Sequence, residues 1–221
     1  MQVVVIGQHE ITSEFKEKFT SEHSFIFAED HNITSDTLDK ADVIFDFIVD
    51  ENPEGFELYA QLDGVVVFCN TVKISLAELA YYNKEISCAL FGFNGLPTMI
   101  NREQLEVSIF DVSDQDKLAQ ICSALDTSYL VVDDRVGLVT PRVVCMIINE
   151  AFYTVQEGTA EMADIDLGMK LGTNYPFGPF EWCDKIGIKH VYEVLEAVYE
   201  DTKDERYKIC SLLKKRYLRE T

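Results

Sequence analysis

The stretch VVVIGQHEIT, residues 3–12, decides how the chain begins to fold. Its apolar run Val3–Ile6 suits an inner strand buried on both faces. Gly7 permits a turn, and Phe15 and Phe19 then recur at helical spacing. Strand, glycine turn and helix in that order open a dinucleotide-binding fold, whose turn reads G-x-G-x-x-G. The first glycine makes the turn, the second lets backbone approach a pyrophosphate, and the third lets helix pack on strand. Here the three positions are Gly7, His9 and Thr12. The turn can form, but His9 brings a ring to the place where bare backbone meets phosphate. Glu10 adds a carboxylate at the helix N-terminus, where the helix dipole favours it and where it takes an anion's place.

Outward from that turn, strand-like and helix-like stretches alternate. Strands are expected at Phe25–Ala28, Val43–Val49, Val65–Phe68, Ala89–Phe93, Val107–Phe110 and Ser128–Val132. Helical stretches are expected at Thr12–Thr20, just before Ala41, and at Pro53–Leu62, Leu76–Tyr82 and Gln115–Leu125. Such alternation predicts a parallel, doubly wound sheet. The pattern changes near Asp133. Val143, Met146, Ile147, Ala151 and Val155 recur at helical spacing over 142–157, with Gly158 as the stop. Further helices are expected at Met162–Leu171 stopped by Gly172, Pro179–Ile186 stopped by Gly187, Val191–Tyr199 and Ser211–Leu218. The expected fold class is therefore α/β: a truncated Rossmann-like parallel-sheet domain over 1–135, then an all-α helical domain over 136–221.

Composition narrows the partners. With 221 residues, 47% of them hydrophobic, the chain can bury the core of one large domain or two small ones. It has no apolar run of membrane-spanning length, and MQVVVIG lacks a basic n-region, so neither a membrane span nor a secretory leader is expected. Six cysteines, at 69, 88, 122, 145, 183 and 210, form no CxxC pair and sit in apolar segments. They read as reduced buried thiols of a cytoplasmic protein. The four histidines do not cluster with them, so no zinc site is expected. A net charge of −20 opposes binding to nucleic acid and to anionic membranes. It also disfavours anionic small ligands unless a basic pocket offsets it.

Two stretches of the second half carry a composite pattern. VGLVTPRVVCMIINEAFYTVQEG (136–158) and ADIDLGMKLGTNYPFGPFEWCDKIG (163–187) resemble the C-terminal domain of the 3-hydroxyacyl-CoA dehydrogenases. In that family G-F-x-x-N-R opens a long helix ending near N/M-E-A, followed by D-I-D-x-A-M-K-x-G and Y-P-x-G-P-F-E. The likeness covers nearly all of 136–200. The first half aligns in outline. ADVIFDFIVDENPEGFELYAQLD (41–63) resembles the family's A-D-x-V-x-E-A strand and the helix after it. VVVFCNTVKISLAELA (65–80) resembles the S-N-T-S-S-L stretch, and CALFGFNGLPTM (88–99) the G-x-H-F-F-N-P-x-P stretch.

The resemblance implies oxidation of a secondary alcohol on an acyl-CoA-type small molecule, with hydride passing to NAD. It implies a homodimer formed through the C-terminal helical domain. It also implies a histidine base oriented by a glutamate, with a serine and an asparagine on the substrate oxygen. The histidine position here is Phe91, the serine position Val72 and the asparagine position Pro141. The glutamate falls on Glu103 without gaps, or on Glu106 if LEVSI (105–109) is matched to L-V-E-V. Asn70 and Asn94 stand at matching positions, as ligand-binding groups or as turn residues. For the cofactor, Gly7 and His9 mark the phosphate turn. The pair Glu29-Asp30 closes the second strand where a carboxylate would hold the adenosine ribose. Asp46 stands where the family's third strand carries glutamate. The long helical excursion that helps bind CoA is reduced to the short segment after Asp30. Two readings follow: an NAD-dependent dehydrogenase with a rearranged site, or a catalytically inactive dimeric binding or regulatory protein on the same fold. The hydroxyisobutyrate and phosphogluconate branch, which uses a lysine on the first long helix of its second domain, is set aside. No lysine lies between Val136 and Gln156.

Overall fold

Seven strands form one sheet in the first half of the chain: β1 (Gln2–Ile6), β2 (Ser24–Ala28), β3 (Val43–Asp46), β4 (Val66–Asn70), β5 (Ala89–Phe93), β6 (Gln104–Ile109) and β7 (Ser128–Val131). The computed structural model describes residues 1–19, 23–83 and 85–220, and of Glu10 the backbone only. The described chain divides into two compact units, Met1–Leu138 and Val139–Thr221. No helix among the described residues is long and apolar enough to cross a membrane.

In the first unit the strand order is β2-β1-β3-β4-β5-β6-β7. The first five strands run parallel, as the alternating pattern predicts. β6 corrects that expectation: it pairs antiparallel with β5, and β7 then runs parallel to β6. The cause is the connection. Residues 94–103 contain no helix, and a parallel return needs a crossover, usually a helix. β3 is also shorter than expected. It stops at Asp46, whose carboxylate accepts the backbone N–H of Ile48 at 2.9 Å and turns the chain out of the sheet. The helices are α1 (His9–Lys18), α2 (Ser35–Leu38), α3 (Leu76–Tyr81) and α4 (Gln115–Ala124), while Pro53–Leu58 is a 3-10 helix rather than a longer α-helix.

Alternation along the strands sends side chains into two layers. Val3, Val5, Phe45, Phe68 and Phe91 pack in one layer with Phe15 and Phe19 of α1 and Leu118 and Cys122 of α4. Val4, Ile6, Ile44, Val67 and Leu90 pack in the other with Phe56, Tyr59, Leu76 and Leu79. Aromatic rings dominate the first layer. Phe45 stacks on Phe68 at 4.6 Å between centroids, and Phe68 lies 5.3 Å from Phe91.

The second unit is all helix: α5 (Thr140–Gln156), α6 (Met162–Thr173), α7 (Pro179–Ile186), α8 (Ile188–Thr202) and α9 (Ser211–Glu220), with a 3-10 turn at Glu205–Tyr207. α5 is the central helix and packs on α7, α8 and α9. Gly158 and Gly187 close α5 and α7 with φ of +73° and +94°, as expected of glycine stops. Gly172 does not stop α6. The helix runs through it and ends at Asn174, which takes the left-handed conformation itself. All six cysteines are free and buried.

Candidate functional site

Open α/β sheets bind ligands beyond the carboxyl ends of their strands, at the point where the strand order reverses. In this sheet β1 connects to β2 on one side, and the chain then returns to β3 on the other. The point of reversal is therefore the end of β1, at Gly7.

Gly7 is buried, and its N–H donates to Ala28 at 2.8 Å. A Cβ placed on it would lie 3.0 Å from Cβ of Phe47, so its open side already faces a side chain. Phe47 is itself 2% exposed and packs edge-on against Phe15 and Phe93. His9 is exposed at the first position of α1, and Thr12 is buried with its hydroxyl donating to the His9 carbonyl. The Glu10 side chain, read from the sequence as an anion substitute, lies outside the described residues.

Asp46 ends β3 with no exposed surface. One of its oxygens accepts the Ile48 N–H. The other meets Nε2 of His31 at 2.6 Å and accepts the hydroxyl of Tyr59. Tyr59 is fully buried, and burial, then the neighbouring Asp46, raises its pKa well above the usual phenol value. The Asp46 hydrogen bond raises the His31 pKa above its ordinary value, against burial, which lowers it. The imidazole lies directly over Gly55, where a Cβ would come within 2.3 Å of the ring. Glu29 and Asp30 are both exposed, and Asp30 accepts the N–H of Asn32 at 2.8 Å in a local turn.

Asn70 ends β4 and is 4% exposed. Its amide donates to the Phe47 carbonyl at 3.1 Å and to Asp50 at 3.0 Å, and its oxygen accepts the Gly95 N–H at 3.0 Å. Asn94, just past β5, accepts the Leu96 N–H at 3.3 Å through its side chain and donates its own N–H to the Glu106 carbonyl. Glu106 lies on β6 and is 9% exposed, whereas Glu103 precedes the strand and is exposed. Glu106 attracts the Arg102 guanidinium, whose pKa burial draws down. Phe91, at the base position, is fully buried in the aromatic layer. Val72, at the serine position, is fully buried, and its carbonyl accepts the Gly137 N–H at 2.8 Å. Pro141 lies in the first turn of α5.

The carboxyl edge of the sheet thus gathers Gly7, Asp46, Asn70 and Asn94, with Glu106 alongside on β6. His9, Glu29, Asp30 and Glu103 stay exposed. Four residues there went unread in the sequence: His31, Phe47, Gly55 and Tyr59. The signal for His31 was available, since it directly follows Glu29-Asp30. Nothing local in the sequence pairs it with a residue fifteen positions on.

These residues do not fit a dinucleotide as they stand. Phe47 packs on the turn glycine, and His9 carries a side chain at the position where bare backbone would meet a pyrophosphate. Both oxygens of the Asp46 carboxylate are engaged within the protein. Asp30, the second of the two candidates for a ribose, is engaged in its own turn.

Residues 137–220 match the family model for the C-terminal domain of 3-hydroxyacyl-CoA dehydrogenase. The 3-hydroxyadipyl-CoA dehydrogenase of Escherichia coli is 42% identical over 92 residues, which are 42% of this chain and 19% of that protein. The 3-hydroxybutyryl-CoA dehydrogenase of Bradyrhizobium diazoefficiens is 27% identical over 187 residues, covering 81% of this chain and 64% of the relative. The chain therefore spans less than two thirds of the length of these curated relatives. Among solved structures, (S)-3-hydroxybutyryl-CoA dehydrogenase from Ralstonia eutropha superposes with a TM-score of 0.72 at 19% identity, covering 97% of this chain and 92% of that one. That likeness is one of fold: a Rossmann-type sheet followed by helices. The matched C-terminal domain, together with relatives of that name running through both halves, supports the 3-hydroxyacyl-CoA dehydrogenase family for this chain.

Proposed function

We propose that the chain is a non-catalytic member of this family, a dimeric binding or regulatory protein on the same fold that passes no hydride to NAD. One observation carries the reading: Phe91, at the position of the family's histidine base, is a core side chain packed on Phe68. Phenylalanine accepts no proton, and its ring faces the aromatic layer. The amides of Asn70 and Asn94 support the same reading, because both hold turns at this edge. Dimerisation through the helical unit is part of the proposal. It is supported by apolar side chains left exposed there, among them Val143 at 53%, Leu167 at 54% and Leu171 at 79%.

The test is a turnover assay with NAD and 3-hydroxybutyryl-CoA, following NADH absorbance. The expected result is no rate above the enzyme-free control. Sustained turnover that Glu106→Gln abolishes would instead establish the second reading, an NAD-dependent 3-hydroxyacyl-CoA dehydrogenase with a rearranged site. A specific observation favours that second reading. The hydroxyls of Thr71 and Ser108 are buried over Gly92 with no hydrogen-bond partner among the described residues. Such a pair would suit a substrate oxygen.

A further inference from the structure

His31 follows β2 by three residues, and Asp46 ends β3. Between β2 and β3 lies β1, so the two strands stand about 10 Å apart in the sheet. The hydrogen bond of 2.6 Å between His31 and Asp46 therefore bridges the end of β1 and links the two strands that flank it. That is the crevice in which a sheet of this order receives a nucleoside. Two contacts fix the ring there. Asp46 holds Nε2 and is itself fixed by Tyr59 and the Ile48 N–H. Gly55 lies beneath the imidazole so closely that any side chain at 55 would overlap it. The His31 side chain is 16% exposed, so it is packed into the edge of the sheet and does not lie on its surface.

We propose that His31 is a built-in occupant of the nucleoside crevice, so that this chain cannot accept the adenosine half of a nucleotide without expelling its own imidazole. Asp46, the carboxylate at the end of β3 beside the crevice, meets an imidazole nitrogen, and Gly55 makes room for the ring. This inference is independent of the loss of the hydride-transfer residues. A chain could lack a base and still bind adenosine, and a chain with a base could still be plugged.

The probe is AMP, which carries adenosine and no nicotinamide, so the outcome does not depend on turnover. Calorimetric titration of the full chain should show no saturable binding at about 1 mM AMP. His31→Ala, shown to be folded by circular dichroism, should bind AMP at least about tenfold more tightly. Saturable binding of AMP to the unaltered chain would overturn the proposal. So would a folded His31→Ala that binds no better than the unaltered chain. Should His31→Ala not fold, the unaltered chain is read by imidazole NMR. A His31 resonance unmoved by about 1 mM AMP supports the plug, and one that shifts in a saturable way overturns it.

Discussion

His31 and Asp46 meet across β1 as a histidine and a buried carboxylate, and the pairing has a sign that pH reads. Hydrogen bonding to Asp46 raises the His31 pKa above 6.5, burial opposes this, and Asp30 adds attraction. A raised folded-state value means that the pair's contribution is fully present below about pH 6.5 and is lost as pH climbs through the folded value. Urea titrations should therefore show stability falling on the alkaline side of that window. His31→Asn should be weaker by about 2 kcal/mol at about pH 6, and flat across the window. A variant with the slope of the parent would place the titrating group elsewhere. Phe91 makes the second prediction at this scale. Phe91→His puts an imidazole into the aromatic layer with no polar partner in view, and should destabilise by about 2 kcal/mol or more. It should also leave NADH production undetectable, because Val72, Pro141 and the Phe47–Gly7 contact are unchanged. Robust turnover from that single change would show that the cofactor end is intact.

Within the helical unit the motif that made the family recognisable has a local physical purpose. In ADIDLG, Asp166 lies within α6, and its carboxylate accepts the N–H groups of Phe180 at 2.8 Å and Glu181 at 3.1 Å. It is the cap of α7, supplied from another helix. Gly178 lets it come so close, since a Cβ there would lie 2.3 Å from the Asp166 carboxyl carbon. Asp166→Ala should cost about 1–2 kcal/mol in thermal or urea unfolding, and Asp166→Asn distinctly less. Equal losses would assign the effect to charge rather than to capping. Strands and helices with strong apolar periodicity were legible in the sequence, as β1, β5 and α7 demonstrate. Three features were not. The end of β3 depends on a side-chain turn at Asp46, the direction of β6 on a loop without a helix, and the end of α6 on Asn174 taking a conformation usually left to glycine. Each is decided by a hydrogen bond or a connection rather than by hydropathy.

At the scale of the molecule, an acidic surface encloses a core that holds every cysteine. Burial lifts the thiols of Cys88, Cys122 and Cys183 to about 12, and that of Cys69 well above its usual value. Native protein at about pH 8 should therefore react slowly with a thiol reagent, and all six cysteines should react promptly in denaturant. Fast native labelling of any one would mean that its unit opens locally. The candidate site was less legible than the fold. Gly7 stands out from the strand–turn–helix pattern, and Asp46, Asn70 and Asn94 from the family resemblance; the structure puts all four along one sheet edge. What they hold was invisible, because His31, Phe47 and Tyr59 reach them across strands that sequence order does not show as neighbours. The central claim is that the dinucleotide crevice of this fold is filled by the chain itself. The most direct test is titration of the purified protein with NADH, followed by calorimetry and cofactor fluorescence. The account predicts no saturable signal at about 1 mM, and saturable binding in the micromolar range would contradict it.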